Sequence, residues 1–135
     1  MRPLLRILMM LNAALFFFGA IQHLGVVIGR FHEPVIHPAA IVESTCGIAL
    51  TVGVIALLRG TSSARRLSII ANFVAIAGVS LGMIALAAGR GPRTASNDTY
   101  HHIMVTLAIA SLIILFTRRS SAARRRETNL RFREI

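Results

Sequence analysis

Residues 39–58 read AAIVESTCGIALTVGVIALL, a run in which Glu43 is the one charged side chain. A helix of roughly 20 residues rises about 30 Å, the thickness of a bilayer's hydrocarbon core. The run is therefore a membrane span, and its neighbours repeat the pattern. Apolar stretches cover residues 4–29, 36–59, 65–89 and 99–117, leaving only short loops and a basic segment over 118–135. Short loops between consecutive spans make neighbours antiparallel, which predicts an all-α, up-down-up-down four-helix membrane bundle. With 135 residues at 55% apolar composition, no length is left for a separate soluble domain.

The chain carries fifteen basic residues, all arginine, and a formal net charge of +10. The exclusive use of arginine points to a GC-rich coding bias and so to a bacterial source. Arg2, Arg6, Arg59, Arg65, Arg66 and the arginines from Arg118 to Arg133 fall on one side of the spans. Arg30, Arg90 and Arg93 alone fall on the other. The positive-inside rule then places both termini in the cytoplasm and the protein in an inner membrane. The arginine-rich tail suits anionic lipid headgroups, at roughly 1 kcal/mol per charge near the surface. Apart from Phe132 it interleaves no aromatic residues, which argues against nucleic acid. Cys46 is the sole cysteine, so no intramolecular disulfide can form. The first span is too long for a cleaved signal's apolar region, and Phe18-Gly19-Ala20 is a poor cleavage triplet, so retention is predicted. Asn97-Asp98-Thr99 has the glycosylation spacing but abuts the start of span four.

Local signals mark the helix ends. Pro38 suits a first helical turn, Gly60 a stop, Ser62 or Ser63 an N-cap, and Asn97 or Thr99 the cap of span four. Along span three, Ala71, Ala75, Gly78, Gly82 and Ala85 recur at steps of three and four. Such a stripe lets backbones approach closely in lipid, inside the bundle or across a homodimer or larger membrane complex. Asn72 and Ser80 on the same helix can add interhelical hydrogen bonds.

The chemistry gathers at the outer end, where all five histidines fall. An ionisable residue inside a span costs about 2.5–3.5 kcal/mol on insertion scales and marks a candidate site. Helical rise brings His23, Glu43 and one span-four histidine to overlapping depths. On span four, His101 heads a face carrying Ala108 and Ser111, whereas His102 heads a bulkier one. Small residues mark packing surfaces, so His101 is the inward histidine. His102 sits at the headgroup edge with Tyr100, an aromatic anchor. Cys46 lies one turn below Glu43. His32, Glu33 and His37 in the first outer loop are secondary candidates for a surface metal.

Four readings of His23, Glu43 and His101 compete. They can form a structural hydrogen-bond cluster, Glu43 with His23 or Tyr100. They can line a pocket for a small molecule such as a quinone. They can hold a metal or a haem, with Cys46 as a softer ligand, although no HxxxH or CxxC spacing occurs within a span. Lastly, Glu43 can couple proton movement in a small oligomeric transporter. Below Glu43 the spans offer no second acid. No nucleophile or phosphate-binding motif accompanies the cluster, which weakens an enzymatic reading.

Phe18-Gly19-Ala20-Ile21-Gln22-His23-Leu24-Gly25, late in span one, and Ala40 to Leu50, opening span two around Glu43 and Gly47, carry a resemblance. In these residues and their glycines the chain resembles the DoxX-like group of small four-span bacterial membrane proteins. The resemblance covers spans one to three; Asn97 to His102 of span four depart from it. It implies a four-helix membrane subunit, non-catalytic or associated with membrane redox processes such as quinone-coupled oxidation.

Overall fold

The computed structural model describes residues 2–28, 34–91 and 94–131, with side chains from Pro3 to Thr117. His32 and Glu33 lie outside the described residues. Four helices follow in order: α1 (Arg2–His23), α2 (His37–Arg59), α3 (Ala64–Ala87) and α4 (Ala95–Arg131). All four are long and apolar enough to cross a membrane, α4 over Ala95–Thr117. The described residues form no strand element. Each helix packs against two neighbours, α1 on α2, α2 on α3, α3 on α4 and α4 back on α1. This is an antiparallel four-helix bundle of a multi-pass membrane protein.

Burial explains the association. Leu5, Met9, Asn12, Phe16 and Ala20 recur on one face of α1, and Met104, Ala108, Ser111 and Leu115 on one face of α4. The opposite faces expose Ile7, Leu11, Ile48, Val52, Phe73 and Ile113. Apolar side chains that face outward all round a bundle are what lipid requires. Asn12 reaches across the core, its Nδ2 donating to the Met104 carbonyl at 3.2 Å. Asn72 and Ser80 do not bridge helices. Asn72 donates to the Ser68 carbonyl of its own helix at 2.8 Å, and Ser80 is exposed. At the arginine-rich end, Arg6 donates to the Leu57 carbonyl at 2.8 Å and Arg65 to the Leu115 carbonyl at 3.2 Å. Each arginine thereby satisfies a carbonyl near the end of the adjacent span.

Helix ends differ from the sequence reading in three places, each for a local reason. Span one was expected to continue to residue 29, but α1 stops at His23 because Gly25 takes a φ of 90° and turns the chain. The Ile36 N–H then closes back on the His23 carbonyl at 3.1 Å. The cap of α4 is Thr94, whose hydroxyl accepts from the Asn97 N–H at 3.1 Å, rather than Asn97 or Thr99. Ser63 occupies the N-cap position of α3 without making a side-chain cap. Gly60 does stop α2, in the left-handed region at φ 65°, and the Thr61 N–H reaches the Ala56 carbonyl at 3.3 Å.

The small stripe of α3 divides in two. Ala71 and Ala75 are buried, and a Cβ placed on Gly78 would collide with Cys46 Sγ of α2. That half is an internal helix contact. Beyond Val79 no residue of α3 is fully buried, and Gly82 and Ala85 face a gap instead.

Candidate functional site

The gap is a cavity of about 440 Å³ at the histidine-bearing end of the bundle. Phe16 and Met104 form its floor, each about 1% exposed, and Val79, Ala85 and Leu86 supply apolar wall. Its polar lining is His23 from α1, Glu43 from α2, Asn97 and His101 from α4, and Arg90 from the connection between α3 and α4. Three helices thus place His23, Glu43 and His101 around one space.

His23 closes α1, and its position follows from the turn after it. Its Nδ1 lies 3.2 Å from the Pro34 carbonyl, which can only accept, so Nδ1 carries a hydrogen. Nε2 then faces Glu43 Oε1 at 3.9 Å, with both residues about 5% exposed. That separation is beyond a hydrogen bond but within ion-pair range.

Glu43 has a seat prepared by Gly19. A Cβ on Gly19 would lie 2.5 Å from Glu43 Oε2 and would also collide with the Tyr100 hydroxyl. Tyr100 was expected at the headgroup edge. It is instead partly buried, its hydroxyl donating to the Leu15 carbonyl in the groove that Gly19 leaves open. A phenol inserted between helices must find an acceptor, and the α1 backbone supplies it.

His101 is buried and donates from Nδ1 to the Asn97 carbonyl at 2.9 Å. Its Nε2 points toward α3, 3.4 Å from where a Cβ on Gly82 would stand. His102 makes the same backbone contact to the Asp98 carbonyl at 2.6 Å but is exposed, off the cavity. His37 is exposed at the start of α2. Cys46 is buried one turn below Glu43 and packs against Gly78, its thiol donating to the Val74 carbonyl at 3.5 Å. Among the described residues, no three His, Cys, Asp or Glu side chains gather closely enough to hold a metal ion. The metal reading therefore lacks its ligand set there.

Asn97, Arg90 and Gly82 join the site although the sequence reading gave them other roles. Asn97 stands one helical turn before His101, a spacing that would have placed it on the same face. Comparison with family models, with curated proteins and with solved structures gives no match.

Proposed function

We propose that this chain binds a small lipid-soluble molecule in the cavity at its outer end. The observation that carries the reading is the lining. Apolar walls enclose a space of about 440 Å³ into which His23, Glu43 and His101 converge while buried. A few polar groups set in an apolar cleft are the usual make-up of a small-molecule site, and spaces of roughly 300–1,000 Å³ take drug-sized ligands. Phe16 and Met104 block the path toward the other membrane face, which favours a binding site over a conduit. A quinone-type head on an apolar tail fits this mixture, consistent with a redox-associated membrane subunit. The arginine distribution supports cytoplasmic termini, so the cavity opens toward the outer leaflet.

A second reading has its own support. Glu43 and the Tyr100 hydroxyl share the hollow at Gly19, and His23 is tied to Pro34, so the cluster also fastens α1, α2 and α4 together. The two roles are separable. Absorption spectra and metal analysis of the detergent-purified chain, followed by solvent extraction and mass spectrometry, test the binding reading. It predicts one lipid-soluble compound near equimolar load. Stoichiometric haem or metal, or no compound above the level of bulk lipid, would overturn it.

A further inference from the structure

The rim of the cavity, at the histidine-bearing end of the bundle, is built from hydrogen-bond donors. Arg90 reaches it from the connection between α3 and α4, Asn97 from the first turn of α4, and Pro38 and Ala39 from the start of α2. Arg90 is exposed and makes no ion pair among the described residues. It stands at the end of the spans where the sequence keeps arginine scarce, so the charge bias that sets topology does not account for it.

Asn97 is the second observation. It is 7% exposed, and its backbone N–H and carbonyl are engaged by Thr94 and His101. Its side-chain amide makes no hydrogen bond among the described residues, although it lines the cavity. A buried amide without a partner is costly, and the cavity is where a partner can stand. The start of α2 adds to the same field. Its first turn holds no acid and no side chain caps it, so nothing offsets the positive end of the helix dipole. Glu43, the acid of the lining, lies deeper, roughly 8 Å of helical rise below Pro38, and it faces His23 at 3.9 Å.

Resting on the binding reading above, we infer that the ligand is a single-chain amphiphile with a carboxylate head. The carboxylate pairs with Arg90 at the rim and accepts from the Asn97 amide. The chain runs inward along Leu86, Ala85 and Val79 toward Phe16 and Met104. An ionised carboxyl carries only acceptors, which matches a rim that offers a cation and donors. About 440 Å³ suits one apolar chain, and a two-chain phospholipid is too large for it. A neutral alcohol or quinone fills the same walls and leaves the Arg90 charge unmatched.

The test uses the full chain in a neutral detergent with palmitic acid, hexadecanol and decylubiquinone, at a pH that ionises the acid. Saturable binding above micelle partitioning is expected for palmitate, with hexadecanol weaker by about tenfold, the worth of one charge-assisted hydrogen bond. Arg90→Gln, a change at an exposed position, should weaken palmitate by about tenfold and leave hexadecanol unchanged. Asn97→Leu should weaken palmitate by about threefold to tenfold, the worth of one hydrogen bond. Equal binding of palmitate and hexadecanol by the parent chain, or a preference that survives Arg90→Gln, would overturn the acidic head and leave the cavity reading standing. Tighter binding of decylubiquinone than of palmitate would do the same. Unchanged palmitate affinity in folded Asn97→Leu would overturn the placing of the head at the amide. Saturable binding of none of the three compounds would refute the cavity reading and this inference with it.

Discussion

At the scale of single residues, His23 and Glu43 show how a buried polar pair is held without a short hydrogen bond between its members. His23 is also fixed through Pro34, and Glu43 rests in the hollow at Gly19. Glu43→Gln should keep the fold, because an amide retains an acceptor and occupies the same seat. Glu43→Leu removes His23's partner and should cost about 1–3 kcal/mol in thermal or denaturant melts. In the double-mutant cycle with His23→Leu, a coupling of about 0.5–3 kcal/mol is expected. Simple additivity would show that the 3.9 Å approach carries no energy. Tyr100→Phe should cost about 1 kcal/mol, since its donation to Leu15 is lost. The convergence of His23, Glu43 and His101 was legible from helical rise and facing. The position of Tyr100 was not, because it depends on Gly19 of another helix, and a one-residue hollow leaves no periodic trace in a sequence.

At the scale of helices, glycines of one stripe do opposite work. Gly78 lets α3 close on α2, and a methyl there meets Cys46 Sγ. Gly78→Ala should therefore destabilise by about 1–3 kcal/mol through overpacking. Adding Cys46→Ala removes the sulfur and should recover most of that loss; no recovery would mean that Val42, whose Cγ1 lies 3.2 Å from the same Cβ position, controls the contact. Gly82→Leu should instead leave stability unchanged or raise it by up to about 1 kcal/mol. The helix gains a better former, and the new Cβ meets only His101 at 3.4 Å. The four helices and the stripe were readable from apolar length and small-residue spacing. That the stripe would divide was hidden, because spacing reports a shared face and says nothing of how far the neighbouring helix stands from it. The early end of α1 was hidden for a related reason. Val26, Val27 and Ile28 prolong the apolar run, and only the backbone angle at Gly25 reveals the turn.

At the scale of the whole molecule, a bundle tightly packed at one end and open at the other makes a membrane-embedded cup. In the orientation we propose from the arginine bias, the mouth faces outside. Cysteines introduced at exposed Ser62 and Ser96 in a Cys46→Ala background should react with an impermeant maleimide from opposite faces, Ser96→Cys from the exterior. The central claim is that the cup holds a small molecule over Gly82, and native mass spectrometry of the parent chain beside Gly82→Leu tests it most directly. The parent should carry an adduct heavier than the bare chain, and the variant, folded and at least as stable, should carry none. Equal adducts on both proteins, or none on either, would contradict the account.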